Sequence, residues 1–240
     1  MRSWIAVTVL AGILVPALTT AMSRELRVPF TPQAPEARWV EPWANACEET
    51  ALVMVNAYYE DETLSGSRGK TRISEALKKK NTAFGESKDE SAALMADIVA
   101  EVYDWEAFVV TEATLPDIKE EIDGGRPVII PFDARRVKNR FFQSPRPDYH
   151  VAVIIGYDND KQQFIVHDPG TAKGKAFRYS YDELLGANET YTIGDTGEER
   201  GGEVIFTAPG EARDSALRRV WQRLAGRFSG WWAGVWAAKP

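Results

Sequence analysis

The chain predicts an α+β fold, with helices packed on an antiparallel sheet. Helical periodicity fills its first half and short β-type runs fill its second. Residues Ala51, Leu52, Val55, Tyr58 and Tyr59 recur at helical spacing and place one buried helix face directly after the loop 41–45. The run 150–155 (His-Val-Ala-Val-Ile-Ile), the turn residues 157–161 and the run 163–167 read as an antiparallel hairpin. A hydrophobic content of 44% over 240 residues suffices for one substantial core. A net charge of −6 without a Lys/Arg stripe argues against a nucleic-acid partner.

The first residues set the compartment. Arg2 precedes an apolar run from Trp4 to Leu18 and small residues through Ala21. This is the pattern of a signal peptide over residues 1–21, with cleavage expected after Ala21. An uncleaved N-terminal anchor is the alternative, since the run nearly reaches spanning length. Either exports the remainder, so an extracellular, periplasmic or membrane-associated location is expected. The chain holds one cysteine, Cys47, which in an oxidising compartment has no internal disulfide partner and is either a reactive thiol or a buried one.

Residues 22–38 hold Pro29, Pro32 and Pro35 and read as an extended lead-in. The main domain is expected over 39–208. Its first helix starts near Cys47, with Asn45 as N-cap and Glu48 completing a capping box. In that first turn, unpaired N–H groups and the helix dipole favour a thiolate. A small buried hydrophobe is the competing role for Cys47. Residues 64–69 read as a flexible loop, 73–80 and 91–102 as helices, 105–110 as a strand, and 116–122 as a short helix ended by Gly124 and Gly125. A buried strand over 127–132 precedes a loop, 133–149, whose Arg135, Arg136, Lys138, Arg140 and Arg146 read as a solvated face. Strands over 177–181 and 203–207 complete the sheet. Residues 209–240 form an amphipathic pattern, with Leu217, Trp221, Leu224, Phe228, Trp231 and Val235 on one face and Arg219, Arg223 and Arg227 away from it. Such a helix is too short to span a membrane; it either lies in a membrane interface or docks on its own domain.

Only two histidines can serve a Cys47 nucleophile as base, His150 and His167. A hairpin turn centred on Asn159 sets His150 opposite Asp168 on one face and turns His167 to the other. An imidazole beside a carboxylate is what a thiol–imidazole–carboxylate set needs, because the acid fixes the tautomer and steadies the imidazolium. No metal site is expected, since one cysteine and two histidines on opposite strand faces make a poor zinc set.

Four segments, Asn45–Met54, 124–130 (Gly-Gly-Arg-Pro-Val-Ile-Ile), His150–Asp158 and His167–Gly170, resemble in order and spacing the papain-like cysteine peptidases related to bacteriocin-processing peptidases. The resemblance runs from about Trp39 to Thr207. It implies a papain-like fold, a peptide or protein substrate, no cofactor, and Cys47 as nucleophile, His150 as base and acid, and Asp168 as orienter. Glu41 stands where many such enzymes have an oxyanion-hole glutamine, six residues before the cysteine. An ionised carboxylate cannot donate there, so the Cys47 backbone N–H and the Asn45 amide are the substitutes, with Glu41 itself a donor only if protonated. The expected activity is hydrolysis of a peptide or isopeptide bond through an acyl-enzyme. The alternatives are acyl transfer on the same fold and a binding module that has lost catalysis.

Overall fold

The computed structural model describes residues 22–210; residues 1–21, read above as a signal peptide or anchor, and the amphipathic pattern from residue 211 lie outside the described residues. Three helices come first: α1 (Cys47–Tyr59), α2 (Ser67–Phe84) and α3 (Ala92–Val102). Strand β1 (Ser23–Glu25) precedes them, and β2 (Glu106–Thr111), α4 (Leu115–Asp123) and β3 (Val128–Phe132) follow. Then come β4 (His150–Asp158), β5 (Gln163–His167), β6 (Phe177–Ser180), α5 (Tyr181–Asn188), β7 (Tyr191–Ile193), β8 (Glu198–Arg200) and β9 (Glu203–Ala208).

The main sheet is antiparallel in the order β2-β9-β3-β4-β5-β6. Strand β4, buried along its whole length, is its centre. Strand β3 pairs with the first half of β4, His150 to Ile154, and β1 takes over along the same edge at Gly156 to Asp158. The lead-in thus supplies a strand to the sheet. Gly156 is required where they meet, since a Cβ there would lie 2.2 Å from the Arg24 carbonyl oxygen.

Helix α1 packs on β4 and also against α2 and α3. Nine consecutive residues, Cys47 to Val55, are therefore buried, so the helix is enclosed on all sides rather than on the one face its apolar spacing outlines. The expected capping box does not form. Asn45 belongs to a 3₁₀ turn, Trp43–Asn45, Ala46 occupies the cap position without a side-chain bond, and Glu48 points inward. Helix α2 begins at Ser67, inside the expected loop, because burial of Gly69, Ile73, Ala76 and Lys80 gives it an inner face. Helix α5 starts where a longer β6 was expected; the Ser180 hydroxyl accepts from the Glu183 N–H at 3.2 Å and caps it.

The β4–β5 register differs from a turn centred on Asn159. Asp158 pairs with Gln163 across a four-residue turn, a shift of an odd number of residues that alone would reverse every face. A bulge between Ile154 and Gly156 adds one residue and restores the parity, so that Ile154 pairs with Val166 and Val153 with His167. His150 and Asp168 end on the same face, as diagonal neighbours rather than directly opposite.

Candidate active site

Three elements converge on one buried point. Helix α1 presents Cys47 in its first turn, β4 presents His150 as its first residue, and the end of β5 leads into Asp168. Cys47 is 5% exposed, His150 3% and Asp168 0%, so their interactions are shielded from bulk water.

Asp168 and His150 are joined directly, with Nε2 donating to Oδ1 at 2.8 Å. The Gly170 backbone N–H donates to the same oxygen at 2.9 Å. Oδ2 accepts from Asn139 Nδ2 at 3.1 Å and from the Tyr179 hydroxyl. Burial alone would raise this carboxyl; the His150 charge and hydrogen bond outweigh it, helped by Tyr179 and Gly170, and hold Asp168 below the ordinary carboxylate range. The acid is thus an anion fixed by four donors, and it aims the imidazole. Phe132 and Phe142 pack edge-on against the His150 ring, each with centroids 5.3 Å away. Gly170 lies under the ring so closely that a Cβ would sit 2.9 Å from Nε2. With Nε2 committed to Asp168, Nδ1 is the nitrogen left for a proton from a thiol.

His167 is on the other face and is fully used. Nε2 donates to the Val28 carbonyl at 2.9 Å, Nδ1 accepts from the Ala176 N–H at 3.1 Å, and Phe30 meets the ring edge-on. Burial pushes its pKa down to about 4. It is a neutral brace that ties the lead-in to β5.

Cys47 does not hydrogen-bond to His150. Its Sγ donates to Glu48 Oε2 at 3.0 Å. Burial pushes the thiol well above its usual range, and the Glu48 carboxylate pushes the same way by charge and by that hydrogen bond; the backbone amide of Val151, the residue after His150, works against them. Glu48 belongs to a buried cluster with Glu49, Glu90 and Lys80. Lys80 Nζ lies 2.9 Å from Glu90 Oε1 and 3.2 Å from Glu49 Oε1. The three carboxylates could gather on a metal ion, but Lys80 already supplies a cation to two of them.

The two oxyanion candidates are bonded to each other. Asn45 Nδ2 donates to Glu41 Oε1 at 2.6 Å, and the Glu41 side chain is 58% exposed, with Lys88 Nζ at 4.0 Å. The burial that would keep Glu41 protonated is absent. Behind this turn, Gln33 Nε2 donates to the carbonyls of Trp43 and Ala44, both at 3.0 Å, and its backbone N–H donates to Pro169 O at 3.0 Å. Gln33 therefore links the loop before Cys47 to the loop after Asp168.

Sequence reading did not reach Asn139, Tyr179, Gln33 or the inward turn of Glu48. Asn139 lies in the loop read as a solvated face. Arg135 and Arg136 there are exposed, as read, and pair with Asp133 and Glu189, but Arg146 turns in to hold the carbonyls of Val137 and Asn139. Tyr179 pairs with Phe164 near the start of β5, and its hydroxyl reaches along the strand to Asp168.

The model of the Peptidase_C39 like family matches residues 25–224. Among solved structures, one from Bacillus anthracis named as a C39-like peptidase is similar at 17% identity and TM-score 0.49, covering 78% of this chain and 97% of its own. The digestive procathepsin L 3 of Tenebrio molitor larval midgut is similar at 12% identity and TM-score 0.42, covering 80% of this chain and 71% of its own. No curated protein sequence matches the chain. The helix that opens on the cysteine, packed on an antiparallel sheet that carries the histidine and the acid, is the layout expected of a papain-like fold.

Proposed function

Because the chain belongs to the Peptidase_C39 like family, we propose that it is an exported thiol hydrolase that cleaves a peptide or isopeptide bond through a Cys47–His150–Asp168 acyl-enzyme mechanism. The observation that carries this reading is the buried His150–Asp168 pair, 2.8 Å long, at the start of the strand on which the Cys47 helix packs. In the reaction His150 Nδ1 takes the thiol proton, Sγ bonds to the scissile carbonyl carbon, and the imidazolium returns the proton to the leaving amine as the C–N bond breaks. Water, activated by the same nitrogen, then releases the acid and regenerates the thiol. Asp168 keeps the imidazole in one tautomer and balances its charge in the ion-paired state.

Export is part of the proposal and rests on the signal-like residues 1–21. Contact of the residues after Pro209 with a membrane surface rests on their basic, tryptophan-rich pattern. The test is turnover of a peptide library by the wild type, with Cys47→Ala and His150→Ala as blanks, and detection by mass of an acyl group on Cys47. Turnover above both blanks is expected. Turnover equal to the Cys47→Ala blank would remove the enzyme reading in favour of a binding module.

A further inference from the structure

The residue after the nucleophile is a buried acid that the proposed reaction does not use. We infer that Glu48 is a positioning residue that holds Cys47 as a protonated, hydrogen-bonded thiol in the resting protein, so that the nucleophile forms only when the sulfur turns from Glu48 to His150. The inference rests on the reading of Cys47 as the nucleophile and concerns how that same site is kept at rest.

Glu48 is gripped at both ends. Oε2 accepts from Cys47 Sγ at 3.0 Å, and Oε1 accepts from the Glu90 backbone N–H at 3.3 Å. Its side chain is fully buried, so neither bond competes with solvent. The groups around it do not supply a free cation. On its own helix stand Cys47 and Glu49; the segment before α3 brings Asp89 and Glu90; Tyr149, just before β4, donates to the Glu90 carbonyl. From α2 comes Lys80, whose ammonium also donates to the Ser87 carbonyl at 2.9 Å and is directed at Glu90 and Glu49 rather than Glu48. Both Glu49 oxygens and Glu90 Oε2 are buried without a hydrogen bond. Acidic groups thus outnumber cations around the sulfur; burial and the Glu90 and Glu49 charges push the Glu48 carboxyl itself well above its usual range, so the site resists any further anion.

That balance opposes the helix terminus. The N-terminal dipole favours an anion only weakly in ordinary settings. A carboxylate in hydrogen-bond contact, in a site closed to water, disfavours a second anion by more than this, since buried like charges are poorly screened. The pair in which the thiol keeps its proton and donates it to Glu48 therefore prevails at rest over a thiolate beside the Glu48 carboxylate. A turn about χ1, between staggered wells, takes Sγ off Glu48 and towards His150, the neighbour of Val151, whose backbone amide already faces the sulfur. The S–H proton then passes to Nδ1, and the charges left are an imidazolium and a thiolate that no longer touches Glu48. One proton moves, no bond to carbon changes, and no electron is exchanged.

The test begins with the folded wild type. Against Cys47→Ala, it should lack the ultraviolet absorbance of a thiolate at neutral pH and show a hydrogen-bonded S–H stretching band in the infrared. Thiolate absorbance in the wild type at neutral pH would overturn the inference. Glu48→Gln keeps the bond from the Glu90 N–H and offers the sulfur an amide donor in place of an acceptor. Its iodoacetamide labelling at neutral pH should rise by about tenfold or more, the effect of lowering a thiol pKa by one unit, and its labelling curve against pH should move to lower pH, which a merely structural role would not do. A folded Glu48→Gln that labels no faster than wild type would overturn the inference even if the wild type is an active peptidase. Faster labelling of Glu48→Gln with no turnover in either protein would uphold the restraint and remove the peptidase reading. If Glu48→Gln does not fold, the wild-type spectra decide alone.

Discussion

Replacing Asp168 by asparagine changes one atom at the most heavily bonded side chain of the site. The oxygen facing His150 and Gly170 can remain an oxygen, so the bonds at 2.8 and 2.9 Å survive but lose their charge. The other oxygen becomes an NH₂ directed at two groups that now donate, Asn139 Nδ2 and the Tyr179 hydroxyl. Tyr179, which already accepts from Asn139 Nδ2 at 2.8 Å, can rotate its proton and accept from the new NH₂ as well, whereas the Asn139 N–H that pointed at Asp168 is left buried without a partner. A stranded buried donor costs about 1–3 kcal/mol, and losing the charge on the remaining bonds costs about 1 kcal/mol more. The expected loss of stability is about 3 kcal/mol. At a urea slope of about 2 kcal/mol/M, the unfolding midpoint falls by about 1.5 M at neutral pH. The sign with pH follows from Asp168 being held below the ordinary carboxylate range. Its contribution is present above the unfolded-state pKa and is lost as pH falls through the folded one, so the gap between wild type and variant should close on acidification. The assay is urea unfolding followed by tryptophan fluorescence at several pH values. A gap under about 1 kcal/mol at neutral pH, or one that does not shrink in acid, would refute the account of Asp168 as a fixed buried anion.

Three further outcomes follow from the site. His167 is neutral in the fold with a pKa of about 4 against an ordinary 6.5, so protonation of the unfolded chain should remove stability on the order of 3 kcal/mol as pH falls through that window; His167→Gln should flatten this stability–pH slope while retaining turnover, and an unchanged slope would show another group at work. Gly170→Ala, whose Cβ would sit 2.8 Å from His150 Cε1, should displace the ring from Asp168 and cut kcat/KM by about a hundredfold with circular dichroism unchanged; wild-type kinetics would mean that the ring position is not critical. Glu41→Gln should keep or raise kcat/KM and Asn45→Asp should lower it, by roughly 2.7–4 kcal/mol if Asn45 is the oxyanion donor; a dead Glu41→Gln beside an unaffected Asn45→Asp would remove both from that role.

What the sequence determined is what short-range chemistry determines. The helix starting at Cys47, the capped start of α4 at Thr114, the buried strand β3 and the β4–β5 hairpin all follow from periodicity, caps and turn residues within a few positions of one another. The ordered segments around Cys47, His150 and Asp168 were enough to indicate the family. Helix α5 was also legible, since Ser180 followed by Glu183 is a capping pattern. What tertiary structure decided depends on partners far along the chain. The β4–β5 register rests on a longer turn and a bulge at Ile155, two odd shifts that together keep the side chains from His150 to Ile154 on their expected faces while moving their partners by two residues. Asn139 and Tyr179 reach Asp168 across 29 and 11 residues of separation. Glu48 and Glu49, acids that local rules place harmlessly in a first helical turn, become buried because α1 is enclosed between the sheet and two other helices. Burial turns a favourable helix-start charge into a group that must find a hydrogen-bond partner, and the partner that Glu48 finds is the sulfur of Cys47.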